Sequence, residues 1–356
     1  MAKLETLIVE EYGAYVGKHS ERLRVTVKGE IRAEAPLIYL RQLIVKSRGV
    51  SLSSDAIIAC AERGIAIHVV RSGSTTSGAS LYTDGLTGTV ATRRAQLLAY
   101  QDARAVHVAA AIAHAKIRNQ AALLLYHARN RKSSEPRIAH ALRVIAHEVL
   151  DHEAELEDLL RREASLASAH AHKPPIERLR NALLSLEGRA AQRYWEGVRL
   201  IVPEALGWPG RRHRNARDPF NCALNYAYAV LARVTEQALV LAGLDPFAGF
   251  LHADRPGKPS LTLDLIEEFR QPIVDRVLLG MVGKGVLLSC DAEGRLDDAT
   301  RRAIAERVIA RLEEGNERYE GNKRWALREI IQTQARHLAT FLRGDRAEYS
   351  GFVFKP

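Results

Sequence analysis

Apolar and polar positions divide the chain into two textures. Up to residue 88 the apolar runs are short and punctuated by Gly, Ser and charged residues, the texture of strands. Thr6–Val9 is one such run and 12–16 another, closed by Gly17. Leu23, Val25 and Val27 alternate with Arg24, Thr26 and Lys28, the period of a half-buried strand that Gly29 ends. Residues 37–45 form a further run after Pro36, and 65–70 read as strand again. Between them Ser53-Ser54-Asp55 offers an N-cap to a helix over 56–63, and Gly64 stands where such a helix leaves its axis. Residues 72–80, rich in Gly, Ser and Thr, read as a loop or hairpin tip.

From about Thr92 apolar residues recur at three and four, and Ala becomes dense. Helices are expected over 93–129, 135–167, 175–200, 221–242, 262–281 and 299–342. Breaks fall at Pro174-Pro175, Pro203, Pro209-Gly210, Asp245-Pro246 and 283–285. The expected fold class is α+β: a small N-terminal β-rich domain, 1–88, followed by a larger all-α C-terminal domain, 89–356.

Composition narrows the classes. The chain has 356 residues, 47% hydrophobic and 26% charged, which excludes disorder as the main state. No run reaches the roughly 18 uncharged apolar residues of a membrane span, and the richest stretch is interrupted by His107 and His114. No basic leader precedes an apolar segment at the N-terminus. Cys60, Cys222 and Cys290 are far apart in sequence and form neither a disulfide framework nor a zinc knuckle. A reducing cytoplasm is the expected compartment.

The formal net charge of +10 favours polyanionic partners. Arg211, Arg212, Arg214 and Arg217 crowd a loop after Gly207-Trp208-Pro209-Gly210, where forked guanidinium groups suit phosphate oxygens. Arg129, Arg131, Lys132 and Arg137 form a second cluster. For either, the plain alternative is a solvated loop.

Three acidic or histidine-bearing stretches bear on chemistry. His147-Glu148-Val149-Leu150-Asp151-His152 imitates a zinc-protease motif but spaces its imidazoles by five, about 140° apart on a helix, and fails. His170 and His172 are weaker still. Glu187 is different: its helical neighbours Leu183, Leu184, Ala190, Ala191 and Tyr194 are otherwise apolar. A carboxylate there is paired, protonated, metal-bound or at the rim, and an arginine partner is the plain reading. Gly188 beside it lowers helix propensity, which points to a close approach by a ligand or another backbone. Farther on, Asp264, Glu267 and Glu268 share one face of an expected helix, with His252 before it across a Gly/Pro loop. Three acids on one turn either face solvent as an amphipathic helix or hold a hard divalent ion. Together, carboxylates and a histidine would hold Mg²⁺ or Mn²⁺ while arginines hold a phosphodiester.

Several stretches carry a family resemblance. They are 184–188 with Tyr194-Trp195, Asp218-Pro219-Phe220-Asn221, and 224–228. After these come Gly243-Leu244-Asp245-Pro246, Gly249-Phe250-Leu251-His252, and Ser260-Leu261 with Asp264-Leu265 and Glu267, Phe269 and Arg270. Ala115-Lys116-Ile117 with Asn119-Gln120, and Gln332 with Gln334-Ala335-Arg336, fit as well. In this order the chain resembles, over almost its whole length, the CRISPR-associated integrase and endonuclease of spacer acquisition.

The resemblance implies a dimerising N-terminal β-domain and a helical catalytic domain whose metal, Mg²⁺ or Mn²⁺, is held by Glu187, His252 and Glu267. Asp264 is implied among the catalytic residues with a less defined role. The implied activity is insertion of captured DNA fragments into a repeat array, by 3′-hydroxyl attack on phosphodiesters, and cutting of branched DNA. The implied partners are double-stranded and branched DNA, a second copy of the chain, and a small CRISPR-associated adaptation protein; no membrane is involved. Arg211, Arg212, Arg214 and Arg217 are expected to contact DNA, and Tyr194 to stack on or touch it unless it is a core aromatic. The alternatives are a non-catalytic DNA-binding scaffold of the same fold and a small-molecule metal hydrolase, which the arginine loop argues against.

Overall fold

The structure, a computed structural model, describes residues 6–70, 78–81, 89–166, 173–321 and 323–355. The chain separates into two compact units, residues 1–87 and 88–356. With N-terminal strands followed by a mostly helical region, the fold class is α+β.

The smaller unit holds β1 (Thr6–Val9), β2 (Tyr15–His19), β3 (Arg22–Val27), β4 (Glu30–Pro36), β5 (Gln42–Val45), β6 (Ser51–Leu52), α1 (Ser54–Glu62), β7 (Ala66–Val70) and β8 (Gly78–Leu81). They form two four-stranded sheets, ordered β4-β3-β2-β6 and β1-β5-β7-β8. β2, β3 and β4 are an antiparallel meander, whereas β5 lies parallel to β1 and β7. Alternation in β3 buries Leu23 and Val25, as their spacing requires. Ser53 caps α1 by accepting from the Ala56 N–H at 3.1 Å, and Gly64 adopts a φ of +65°. The run over 37–45 is a strand only from Gln42, and β4 follows directly on a turn at Lys28-Gly29. Of the 72–80 stretch, 72–77 lie outside the described residues and 78–80 belong to β8.

The larger unit begins with α2 (Thr89–Ala99) and α3 (Ala103–Asn130). The single helix expected over 93–129 is thus two, because the Asp102 carboxylate accepts from the Arg104 N–H and starts a new helix. α4 (Pro136–Leu166), α5 (Pro175–Arg199) and α6 (Pro219–Leu241) follow. α3 packs against both α4 and α5, and its Ala-rich sequence lets neighbours approach on most sides.

The helix expected over 262–281 is also broken. α7 (Ser260–Ile266) ends in a turn, Arg270–Asp275 form a π-helical turn, and α8 (Arg276–Gly283) resumes. Pro272 has no N–H to donate to the Glu268 carbonyl; Asn119 Nδ2 donates to it instead, at 2.8 Å. Likewise the pattern over 299–342 is α9 (Asp298–Glu313), a short hairpin of β9 (Glu317–Arg318) and β10 (Arg324–Trp325), and α10 (Leu327–Arg343). The C-terminal tail returns into the core, where Phe352 stacks on Phe269 with centroids 5.4 Å apart and the Phe354 N–H donates to Asn119 Oδ1.

Candidate active site

α5 delivers Glu187 and the turn after α7 delivers Glu267, 80 residues later, to a common point. Both are buried, 8% and 2% exposed. What they meet is Lys116 of α3: its Nζ donates to Glu187 Oε1 and lies 2.7 Å from Glu267 Oε2. The latter is an ion-pair contact without hydrogen-bond alignment, since Oε2 has no hydrogen-bond partner. Arg270 Nη2 lies 3.1 Å from the other Glu267 oxygen. Burial pushes the Glu267 carboxyl up, but Arg270 and Lys116 hold it well below the usual carboxylate range. Burial likewise opposes the Lys116 charge, which the two glutamates more than restore. The partner of Glu187 is therefore a lysine, not the arginine a plain ion pair led one to expect.

Gly249–His252 is held against α7 by Asp264. Asp264, fully buried, accepts from the backbone N–H groups of Phe250 and Leu251 at Oδ2 (2.6 and 3.0 Å) and of His252 at Oδ1 (2.8 Å). Oδ1 also lies 2.8 Å from His252 Nδ1. Both carboxylate oxygens are thus committed, so Asp264 positions His252 rather than facing the site. Burial lowers the imidazole pKa, yet the Asp264 hydrogen bond, with the charges of Asp264, Glu267 and Glu187, raises it overall.

The shared acidic face of Asp264, Glu267 and Glu268 does not form. All three are buried and point to different surroundings, because the helix stops at Ile266. Glu268 accepts from the Tyr349 hydroxyl, Gln334 Nε2 and the Phe352 N–H, a clasp for the C-terminal tail. Gly188 has open space where a Cβ would stand, so no backbone approaches it. The imidazoles of His147 and His152 bond to carbonyls of their own helix, and His170 and His172 lie outside the described residues.

Among the described residues no three His, Cys, Asp or Glu side chains converge as a ready metal-binding group. The structure instead makes two pairs, Glu187 with Glu267 and His252 with Asp264. The donor set nevertheless fits a hard divalent ion. Two carboxylates already share one cation, the Lys116 ammonium, and Asp264 engages His252 through Nδ1, so that Nε2 is the ring nitrogen that could serve a metal.

Residues 7–309 match the family model described as CRISPR associated protein Cas1. The chain belongs to the Cas1 family. The CRISPR-associated endonuclease Cas1 1 of Archaeoglobus fulgidus is 35% identical over 98% of this chain and 99% of its own. A casposase bound to its integration product superposes with a TM-score of 0.75 at 21% identity, covering 97% of this chain and 92% of that one. A Cas6-RT-Cas1–Cas2 complex gives 0.67 at 19% identity, covering 98% of this chain and 36% of that one.

In this Cas1 chain the Asp218-Pro219-Phe220-Asn221 motif is a cradle for the arginine loop. Asp218 caps α6 by accepting from the Asn221 N–H, and Pro219 occupies the first helical position. Asn221 accepts from the Arg212 N–H and Arg211 Nη1, and donates to the Gly210 carbonyl. Asn225 accepts from Arg211 Nη2 at 2.8 Å and donates to the His213 carbonyl. Arg211 is therefore a fixed strut, lying over the rings of Trp195 and Tyr228. Arg212, Arg214 and Arg217 are exposed, and among the described residues their guanidinium groups have no partner.

Tyr194 is a core aromatic. It is fully buried and donates to Asp275 Oδ2 at 2.7 Å, while the Tyr228 hydroxyl donates to the other oxygen. Arg270 lies over the Tyr228 ring at 4.7 Å, which connects this network to Glu267. Lys116 and Arg270 are the site residues that sequence reasoning did not assign. Of the same-face neighbours of Lys116, Ile112, Ala113 and Leu123 are apolar but Asn119 and Gln120 are polar, so the apolar stripe that marked Glu187 is interrupted here, although all five are buried.

Proposed function

We propose that this Cas1 chain is a metal-dependent DNA endonuclease and integrase that inserts captured DNA fragments into a CRISPR repeat array. The observation that carries the reading is the convergence of Glu187 and Glu267, buried and far apart in sequence, on one cation position in a Cas1-family chain. Glu187, Glu267 and His252 Nε2 would hold Mg²⁺ or Mn²⁺. A bound divalent ion supplies charge neutralisation at the scissile phosphate and lowers the pKa of an attacking hydroxyl.

The chain's own groups do the rest. Asp264 fixes the tautomer and orientation of His252, so that Nε2 faces the site. Arg270 sets a second positive charge beside Glu267. The exposed arginines Arg212, Arg214 and Arg217 hold the DNA backbone in register, which aligns the 3′-hydroxyl for in-line attack. The new P–O bond forms to the 3′-oxygen of the fragment, the old P–O bond to the repeat strand breaks, and the attacking hydroxyl's proton is balanced by protonation of the departing oxygen. No covalent protein intermediate is needed.

The likeness to a casposase bound to its integration product and to a Cas6-RT-Cas1–Cas2 complex supports DNA and a Cas2-type adaptation protein as partners. A second copy is proposed to pair through the N-terminal unit, where Tyr12, Ile31 and Ile38 are exposed. Among the described residues no helix is long and apolar enough to cross a membrane.

The test is a strand-transfer assay with a 3′-hydroxyl duplex, supercoiled repeat-bearing DNA, Mn²⁺ or Mg²⁺, and the adaptation partner. Glu187→Ala and His252→Ala are expected to abolish product while retaining DNA binding. Normal product from either variant refutes the site; DNA binding by the wild type without metal-dependent product refutes the activity and leaves a scaffold.

A further inference from the structure

Charge accounting around the two glutamates leads to a residue with no assigned role. Glu187 and Glu267 carry two negative charges, and Lys116 and Arg270 carry two positive ones within ion-pair distance. The cluster is neutral as it stands. It is also closed, because the Lys116 side chain, 10% exposed, takes the position on which both carboxylates converge. The backbone that carries Lys116 is anchored nearby. One turn further along α3, Asn119 is tied to the Glu268 and Phe352 carbonyls, each at 2.8 Å. A buried lysine gains such a position only where carboxylates offset the cost of removing its charge from water.

We propose that Lys116 is a built-in substitute for the divalent ion: its ammonium neutralises Glu187 and Glu267 while metal is absent, and withdraws when metal enters. The inference rests on reading those glutamates as metal ligands. It follows that Lys116 and the metal compete for the same oxygens. It also follows that metal entry leaves the cluster with two surplus positive charges. A phosphodiester under attack by an alkoxide carries two negative charges, so the site is balanced only when metal and DNA are present together. The displaced ammonium remains beside the phosphate, and Lys116 becomes a positioning residue for the substrate's charge. A metal-free site that is self-neutralised keeps its two buried acids from repelling one another and preserves the fold between reaction cycles.

The experiment uses the full chain with Mn²⁺ as the sole probe and no DNA. Metal-free thermal stability and Mn²⁺ affinity are measured by thermal denaturation and by calorimetric titration, with bound Mn²⁺ followed by electron paramagnetic resonance. Lys116→Met is expected to lower the metal-free melting temperature and to bind Mn²⁺ more tightly than the wild type, by about 5–150-fold, the usual range for coupled sites. Its melting temperature is expected to rise more steeply with Mn²⁺; a variant that folds only with Mn²⁺ is the same exchange at its limit. Lys116→Arg, which keeps a cation there, is expected to remain stable without metal and to gain no affinity. Glu187→Gln serves as the control that loses Mn²⁺ binding. If Lys116→Met binds Mn²⁺ no tighter than the wild type while Glu187→Gln loses it, the exchange is wrong and the metal site stands. If neither the wild type nor Lys116→Met binds Mn²⁺, the metal reading falls and the exchange with it.

Discussion

Asp264 Oδ1 lies 2.8 Å from His252 Nδ1 and accepts, at the same distance, from the His252 backbone N–H. One buried carboxylate thus fixes both the ring and the main chain of the residue it serves. Asp264→Asn removes the charge and turns one acceptor into a donor facing N–H groups. On the proposed function, strand transfer is expected to fall by about 10–100-fold, the range for outer partners of metal-binding histidines. Urea denaturation is expected to show a loss of about 1.5–3 kcal/mol, the range for a hydrogen bond to a charged group. Full activity in the Asn variant would show that His252 does not depend on Asp264.

Gly249, three residues before His252, lies tight against α7. A Cβ there would stand 2.6 Å from Ser260 Cβ, 2.7 Å from the Ser260 carbonyl carbon and 3.0 Å from Asp264 Oδ2. Gly249→Ala is therefore expected to cost about 1–3 kcal/mol through overpacking and to displace Asp264. Gly188→Ala, one residue from Glu187 but facing open space, is expected to stabilise the chain by up to about 1 kcal/mol through helix propensity. Paired melting curves of the two variants decide the matter, and equal effects would contradict the packing around Gly249.

The arginine loop divides into a strut and a contact surface. Replacing Arg212, Arg214 and Arg217 together by Glu is expected to leave the melting temperature unchanged, since their guanidinium groups bind nothing among the described residues. DNA affinity is expected to weaken, and the salt dependence of log K to flatten by about 0.9 for each phosphate that the variant no longer neutralises. Arg211→Ala is expected to do the reverse, destabilising the loop by freeing Asn221 and Asn225. A triple variant with an unaltered salt slope would remove these arginines from the DNA interface.

What could be read from the residues depended on whether local periodicity agreed with tertiary packing. Ser53 and Gly64 bound α1 as their chemistry dictates, and Glu187 was visible because its helical neighbours are apolar. That rule does not reach Lys116, whose face also carries Asn119 and Gln120, and a lysine in an Ala-rich helix resembles a solvated position until the helix is known to be central. Asp264, Glu267 and Glu268 were grouped on one face because regular helix was extended through Pro272. The absent proline N–H lets the backbone turn at 267–275, and each acid finds a separate partner. Tyr194 left two readings open, and only its depth and the position of Asp275 select the core.

Asp275 sets a pH dependence that can be measured apart from catalysis. Burial raises its carboxyl from an ordinary 3.8 to about 6, although the hydroxyls of Tyr228 and Tyr194 and the charges of Arg270 and Arg211 pull it down. A raised folded-state value means that the fold favours the protonated acid. That contribution is complete below about pH 4 and is lost as pH rises through about 6. At pH 5, one unit below the folded value, about 1.4 kcal/mol of it remains, and at pH 8 essentially none. Asp275→Asn cannot titrate. The stability of the wild type relative to the Asn variant, measured by urea denaturation, is therefore expected to be about 1.4 kcal/mol more favourable at pH 5 than at pH 8. A constant difference between the two chains across that interval would mean that Asp275 is ionised in the folded protein throughout, and that the two tyrosine hydroxyls outweigh its burial.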